Sequence, residues 1–146
     1  MSKISKVLFT GKTHTTVNQP AAGADHGTVN LALTSPTGTE LLHTAVAAHP
    51  TAEQLFAGAW SACYITAIGL VAAQKRVTLP ADLSVDVEIV LGQTGPAWLL
   101  EARFEIRMPG VAQDVAEKLA HAAHEICPYS KATRSNIDVA VNVVTA

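Results

Sequence analysis

Two cysteines, Cys63 and Cys127, are the residues of this sequence best suited to covalent chemistry. A thiolate is a strong nucleophile, and a pair of thiols can alternate between a dithiol and a disulfide. Their wide separation along the chain excludes a local Cys-x-x-Cys motif, and two cysteines cannot form a cysteine-rich zinc site. The pair therefore indicates redox chemistry, with two inert buried thiols as the alternative.

The sequence around each cysteine predicts a different environment for its thiol. Cys63 lies in the middle of a long apolar segment, where burial raises the pKa of a thiol unless a cation or hydrogen-bond donors favour the thiolate. Cys127 precedes Pro128, which ends helices, so we expect it at a helix C-terminus, where the helix dipole disfavours a thiolate. This difference fits a division of labour in which Cys63 is oxidised first and Cys127 condenses with it.

A helix is predicted over residues 52–74 from signals at both of its ends. Thr51 and Gln54 have the spacing of a capping box at its start. Lys75 and Arg76 stand at the far end, where the helix dipole favours cations. The sequence therefore defines both ends of this helix.

This predicted helix has no charged residue between positions 55 and 73. Such a stretch is close to the roughly 20 apolar residues that a membrane span needs. Gly58, Ser61 and Thr66 lower its hydrophobicity, and nothing else in the chain is typical of a membrane protein. We therefore expect a core helix, buried between sheets or against a partner subunit.

The chain as a whole predicts a single α+β domain over residues 1–146. Alternating apolar residues predict strands, and Gly and Pro punctuate the loops. Strands are expected at residues 7–11, 28–33, 83–90, 98–107 and 137–144, a second helix at 111–126, and loops at 13–26 and 35–50.

Composition and charge narrow the class of protein. Hydrophobic residues make up 49% and charged residues 15% of the chain, which is typical of a packed globular protein. The net charge of -2 and the lack of a dense Lys or Arg run argue against a nucleic-acid partner. The first residues lack the apolar core of a secretory signal, so we expect a cytoplasmic protein.

Three segments of the chain have distinctive sequences. One is Lys6-Val-Leu-Phe-Thr, one runs from Glu53-Gln-Leu-Phe-Ala-Gly-Ala-Trp-Ser-Ala to Cys63, and one is Cys127-Pro-Tyr-Ser-Lys-Ala-Thr-Arg-Ser-Asn-Ile-Asp. Together they resemble the organic hydroperoxide resistance proteins of the Ohr/OsmC family. The third segment is long and specific, and the similarity extends over about residues 4–144.

The resemblance implies an OsmC-like fold of the α+β class. In that fold an intertwined homodimer has long central helices wrapped by antiparallel β-sheets, with two active sites at the subunit interface. The resemblance also implies that Cys63 attacks an organic hydroperoxide, that Cys127 closes an intramolecular disulfide, and that Glu53 orients an activating arginine. External dithiols, such as lipoyl groups on proteins, would reduce the disulfide, and no bound cofactor or metal is expected.

The activating arginine is where this sequence departs from the family. Counting from Lys6-Val-Leu-Phe-Thr, that arginine falls at Gln19, and no arginine precedes Arg76. A neutral amide donates hydrogen bonds but does not favour a thiolate electrostatically as a guanidinium does. Other candidates for the same role are Lys12, His14, His26 and Arg134.

Glu53 is too far from Cys63 along one helix to act on its thiol directly. The two residues are ten positions apart, which corresponds to a rise of about 15 Å. If this carboxylate belongs to the site, we expect it to come from the other subunit. The dimer would then be necessary for catalysis.

Histidines and aromatic residues near the cysteines have simpler interpretations. His121 and His124 have the spacing to face one metal ion, but no carboxylate or thiol completes a recognisable set, so we expect surface or satisfied helix histidines. Trp60 and Tyr64, at helical spacing, are predicted to pack in the core or at an interface.

Two functional classes follow from these residues. The first is a Cys-based peroxidase for organic hydroperoxides in oxidative stress defence. Apolar walls from Leu55, Phe56, Trp60 and residues 41–48 would favour alkyl or fatty-acid hydroperoxides. The alternative, which Gln19 favours, is a catalytically weakened family member that acts as a hydrophobic-ligand binder or a thiol redox sensor. A third reading treats both cysteines as inert core residues.

Overall fold

The computed structural model describes residues 2–16 and 51–146 of the chain. Within these residues the elements are, in order, β1 (Lys6–Thr16), α1 (Ala52–Lys75), β2 (Ser84–Thr94), β3 (Ala97–Arg107), α2 (Gln113–Ile126), α3 (Pro128–Thr133) and β4 (Asp138–Val144). They confirm the predicted α+β class. The strand predicted at 28–33 and the loop predicted at 35–50 lie outside the described residues.

Two elements differ from the sequence prediction. β1 continues to Thr16, which pairs with Ser84 of β2, although a loop is predicted from residue 13. The β-branched threonines at the end of β1 suit a pleated strand. The short helix α3 was not predicted; it begins at Pro128, because proline suits the first helical position as well as it ends the preceding helix.

The described strands form one sheet in the order β1-β2-β3-β4. β1 pairs with β2 and β2 with β3 in antiparallel fashion, whereas β4 is parallel to β3. The family resemblance implies antiparallel sheets, so the parallel pair is a difference from that expectation. It arises because α2 and α3 form a crossover between β3 and β4, and parallel neighbours need such a connection.

α1 is the central helix of the described fold. Its capping box is formed as predicted: the Gln54 N–H donates to Thr51 Oγ1 at 3.1 Å, and the Thr51 N–H donates to Gln54 Oε1 at 2.9 Å. α1 packs against β1, β2, α2 and α3, with Trp60, Tyr64 and Ile68 fully buried. Of the described helices it alone is long and apolar enough to cross a membrane, and half of its apolar stretch is buried in the fold, as in a core helix.

β1 crosses the start of α1 at Gly11 with no room for a side chain. A Cβ atom at this position would lie 2.7 Å from both the Gln54 nitrogen and the Glu53 Cβ. The close approach of the two backbones therefore requires glycine. It fixes β1 on the first turn of α1, where Glu53 is buried.

α2 turns its small side chains toward the interior. Ala116, Leu119, Ala120 and Ala123 are buried, and small side chains allow neighbouring helices to approach closely. The Tyr64 hydroxyl of α1 donates to the Ala120 carbonyl at 2.7 Å. This bond fixes α1 against α2 within two turns of the end of α2.

Candidate functional site

The two cysteines come into contact where α1 packs against the end of α2. Their Sγ atoms lie 3.1 Å apart, with the Cys127 thiol donating to Cys63. Both cysteines are free, and the distance between them is about 1 Å longer than a disulfide bond. Spacing along the chain does not predict this contact, whereas the family resemblance, which implies a disulfide between Cys63 and Cys127, does. A small movement of the side chains would allow a disulfide to form.

The Cys63 thiol is half-buried in the middle of α1. Burial raises the pKa of Cys63 above its ordinary value of 9.0. The side-chain hydrogen bond with Cys127 and, to a smaller extent, the charge of a Cys127 thiolate raise this pKa further. A backbone hydrogen bond from Tyr129, in the first turn of α3, lowers the pKa in part. Within the described residues no cation contacts Cys63, so the pKa remains raised, as its position in the helix predicts.

Cys127 is fully buried at the junction of α2 and α3. Its N–H donates to the Ala123 carbonyl at 2.9 Å, and its carbonyl accepts from the Lys131 N–H at 3.0 Å. The predicted position at a helix C-terminus is confirmed, and the same residue also begins α3. Because the N–H and the carbonyl of Cys127 are both hydrogen-bonded, its Cα atom is held in place, with the side chain facing Cys63.

A serine hydroxyl on α3 joins the turns that carry the two thiols. Trp60 Nε1 donates to Ser130 Oγ at 3.0 Å, and Ser130 Oγ lies 2.8 Å from His124 Nδ1. Trp60 is buried, as predicted, and so is Ser130. The sequence interpretation missed this network; Pro128, as a start signal for a helix after Cys127, was the one clue to it.

His124 lies in surroundings that favour its neutral ring. Its ring centroid is 4.5 Å from that of Tyr64 and 5.1 Å from that of Phe104. Burial lowers the pKa of His124 from 6.5 to about 4, and His121 and Arg134 act in the same direction. The ring is therefore neutral at pH 7. Its Nε2 atom is buried with no hydrogen-bond partner among the described residues.

Of the two other predicted site residues, Glu53 is not part of this contact and Gln19 is not among the described residues. Glu53 lies in the first turn of α1, about 15 Å along the helix axis from Cys63. Its Oε2 atom is buried and has no hydrogen-bond partner within residues 2–16 and 51–146. Gln19 and His26 lie outside the described residues. The structure therefore brings together Cys63 and Cys127 from the predicted set.

Three further cations were candidates for activating the thiol, and each is paired with a carboxylate instead. The pairs are Lys12 with Glu88 at 3.3 Å, His14 with Asp86, and Arg134 with Glu125 at 3.1 Å. In the part of the chain that the structure describes, none of the three forms a hydrogen bond or an ion pair with Cys63. Within a single chain, the described residues therefore do not support activation of Cys63 by Lys12, His14 or Arg134.

A cavity of about 360 Å³ opens beside the serine network. Its lining includes Trp60, His124, Ser130 and Arg134, together with apolar residues that include Ile137, Val139 and Val141. Phe56, predicted as an apolar wall, packs on Trp60 with ring centroids 5.6 Å apart. Among the described residues, no group of three or more His, Cys, Asp or Glu side chains is placed to hold a metal ion.

The sequence is similar to those of known proteins. The model of the OsmC-like protein family matches residues 34–142. An organic hydroperoxide resistance protein of Xanthomonas axonopodis pv. citri (strain 306) is 40% identical over 91 residues, which cover 62% of this chain and 64% of that protein. The chain thus spans less than two thirds of the length of the first curated relatives that it matches, 65% of one and 64% of another.

Two solved structures have a similar fold. An organic hydroperoxide resistance protein from Elizabethkingia anophelis matches with a TM-score of 0.69 and 27% identity over 100% of both chains. An organic hydroperoxide resistance protein OsmC from Legionella pneumophila matches with a TM-score of 0.61 and 36% identity, over 66% of this chain and 70% of that one. These matches confirm the OsmC-like fold that the sequence resemblance implies.

Proposed function

This chain belongs to the family of OsmC-like proteins, and we propose that it is a thiol peroxidase that reduces organic hydroperoxides with Cys63 and Cys127. The observation that carries the proposal is the 3.1 Å contact between the two thiols. It supports a reversible dithiol–disulfide cycle. Relatives named organic hydroperoxide resistance proteins support the choice of substrate class.

The proposed cycle consumes one hydroperoxide for each dithiol. The Cys63 thiolate attacks the distal oxygen, the O–O bond breaks, and the leaving alkoxide takes up a proton to become an alcohol, while Cys63 becomes a sulfenic acid. The Cys127 thiol then attacks the sulfenic sulfur, which forms the disulfide and releases water. Two electrons and two protons from an external dithiol, such as a protein-bound lipoyl group, restore both thiols. No bound cofactor takes part.

Access supports the assignment of the first step to Cys63. Its thiol is half-buried, whereas Cys127 is 0% exposed. A hydroperoxide can therefore approach Cys63 without unfolding the end of α2. Cys127, held in contact with Cys63, is suited to the second step because a resolving thiol does not need a low pKa.

Fast reaction at neutral pH needs help from beyond the described residues, because burial raises the pKa of Cys63. We propose that the donor comes from the N-terminal region or from a second copy of the chain. By register, Gln19 takes the place of the family's arginine. The buried Oε2 atom of Glu53, which has no partner among the described residues, supports a role for this carboxylate in orienting that donor.

α1 presents an apolar stripe suited to a second copy of the chain. Exposed residues recur at every third or fourth position along one side: Ala59, Ala62, Thr66, Leu70 and Ala73. Small side chains at this spacing allow two helices to pack closely, and Cys63 borders the stripe. We propose a homodimer that buries it, working in the cytoplasm, where reducing conditions return the cysteine pair to the dithiol.

Stopped-flow oxidation of the reduced protein tests the peroxidase. tert-Butyl hydroperoxide, linoleic acid hydroperoxide and hydrogen peroxide are each mixed with wild type, Cys63→Ser and Cys127→Ser, and disulfide formation is followed. We expect rapid stoichiometric oxidation by the two organic peroxides, no reaction in Cys63→Ser, and a sulfenic acid that dimedone traps in Cys127→Ser. Oxidation of wild type no faster than that of glutathione would reject the peroxidase.

A second candidate function is a thiol redox sensor or hydrophobic-ligand binder. The raised pKa of Cys63 and the neutral Gln19 favour it, because both weaken the attacking thiolate. Slow but complete formation of the Cys63–Cys127 disulfide would support the sensor. Binding of an apolar ligand without any disulfide formation would support the binder, with the 360 Å³ cavity beside Trp60 as the first place to test.

A further inference from the structure

We propose that Ser130 is a positioning residue for disulfide formation, because its hydroxyl ties α1 to the end of α2 and so holds Cys63 against Cys127. The inference rests on the proposed peroxidase cycle and deepens it. It concerns the second step of that cycle, in which the Cys127 thiol displaces water from the Cys63 sulfenic acid. Trp60 and His124 are the two partners through which Ser130 acts.

The three side chains occupy equivalent places around the thiols. Trp60 comes three residues before Cys63, on the neighbouring turn of α1. His124 comes three residues before Cys127 on α2, and Ser130 follows Cys127 by three residues on α3. A single hydroxyl group therefore bridges the helical turns that carry the two reacting sulfurs.

The Ser130 hydroxyl can bond to both of its neighbours at once. An indole N–H only donates, so Trp60 Nε1 donates to Ser130 Oγ at 3.0 Å. Ser130 Oγ also lies 2.8 Å from His124 Nδ1. The serine donates to Nδ1 when the neutral ring carries its hydrogen on Nε2, and accepts from Nδ1 when the hydrogen is there. In either tautomer Ser130 links Trp60 to His124.

Burial makes this bridge hard to replace. Trp60 is 0% and Ser130 5% exposed, so removing the hydroxyl leaves a buried indole donor without its protein partner. α3 would have to move for the Trp60 N–H to find another acceptor. Because Cys127 is the residue from which α3 starts, such a movement shifts its thiol relative to Cys63. Disulfides tolerate little deviation in geometry.

Two measurements separate this role from the peroxidase activity. In the first, the reduced protein is equilibrated with glutathione disulfide, which oxidises Cys63 and Cys127 to one disulfide and yields two molecules of glutathione. This equilibrium constant reports how closely the two thiols are held, whether or not the protein reduces peroxides. In the second, tert-butyl hydroperoxide is added and dimedone competes with Cys127 for the sulfenic acid.

For Ser130→Ala we expect an equilibrium constant about fivefold lower than that of wild type, the factor that one net hydrogen bond represents. The fraction of protein trapped by dimedone should rise with it. Ser130→Thr keeps the hydroxyl and should restore both values. Thr133→Val is the matched control: Thr133 is also buried in α3, but its hydroxyl donates only to the carbonyls of Tyr129 and Ser130, so both values should stay at those of wild type.

A second variant keeps the test decisive if Ser130→Ala does not fold. His124→Phe retains a ring that packs on Tyr64 and Phe104 and removes the Nδ1 atom that bonds to Ser130, so it should also lower the equilibrium constant. Wild-type values in both variants would overturn the proposal, as would an equal loss in Thr133→Val. If wild type does not react with hydroperoxides, but Ser130→Ala still lowers the equilibrium constant with glutathione disulfide, the proposed peroxidase function is wrong and the positioning role of Ser130 stands.

Discussion

Cys63 and Cys127 touch each other, yet the two regions that hold them are built differently. Cys63 is half-buried in the middle of a 24-residue helix, bordering an apolar stripe that the described residues leave exposed. Cys127 is fully buried between two helices, with its backbone hydrogen-bonded on both sides. We infer that access, rather than intrinsic acidity, sets the order in which the thiols are oxidised. The reactivity of Cys63 depends on groups from outside the described residues, whereas the position of Cys127 depends on local packing.

The largest expected effect concerns the acidity of Cys63. Because its pKa is raised above 9.0, the thiolate fraction at neutral pH should grow about tenfold per pH unit. We expect the rate constant for oxidation by tert-butyl hydroperoxide to rise about a hundredfold over two pH units below pH 8.5. Stopped-flow measurements on the wild-type protein follow this step with Cys127 in place. A plateau beginning below pH 7 would mean that other groups hold Cys63 as a thiolate.

A cation at position 19 should make the oxidation of Cys63 less dependent on pH, on the proposal that this residue approaches the thiol. The guanidinium of Gln19→Arg would then favour the thiolate, and we expect oxidation at pH 7 to be about tenfold faster. The pH profile should flatten at the same time. Gln19→Glu is the control with the opposite charge and should slow the reaction. Equal rates in all three proteins would show that residue 19 does not approach the thiol.

On the Cys127 side, the expected effect is on stability rather than rate. The pKa of His124 is lowered from 6.5 to about 4, so between these values the unfolded chain binds more protons and stability falls as pH falls. We expect a loss on the order of 1–2 kcal/mol in the free energy of unfolding by pH 4.5, after allowance for partial exposure of the ring. Urea unfolding at pH 7 and pH 4.5 measures it. In His124→Phe this difference should shrink; an unchanged difference would assign it to other groups.

The smallest expected effect tests whether the N-terminal end of α1 influences the contact between the two thiols. Thr51→Ala removes the side chain that accepts the Gln54 N–H and should cost about 1 kcal/mol of stability. Thermal unfolding measures that cost, with Thr51→Ser, which keeps the hydroxyl, as the control. The equilibrium between the Cys63–Cys127 dithiol and glutathione should not change. A large shift in it would show that the first turn of α1 is coupled to the cysteines.

Features with local causes could be predicted from the sequence. Thr51 and Gln54 define the start of α1 because a capping box is completed within one turn. Pro128 places Cys127 at the end of a helix because proline lacks the N–H that would continue it. The position of Glu53 relative to Cys63 also follows from helix geometry alone.

Features that depend on long-range packing could not be predicted in this way. The contact between Cys63 and Cys127 requires α1 to meet α2, and no local pattern specifies where two helices cross. Nothing in the sequence distinguishes Ser130 from other polar residues, because its hydrogen bond with Trp60 exists only in the folded chain. The parallel direction of β4 likewise depends on the path of a crossover, since its own alternation of apolar residues fits either direction.

The parallel pairing of β4 with β3 has a consequence for the order of folding. α2, α3 and Cys127 all belong to the connection between these two strands. Pairings between distant strands form slowly, because the entropy of closing the intervening loop is lost before contacts compensate for it. We therefore expect β4 to join the sheet late in folding, after α2 and α3 have formed from local contacts.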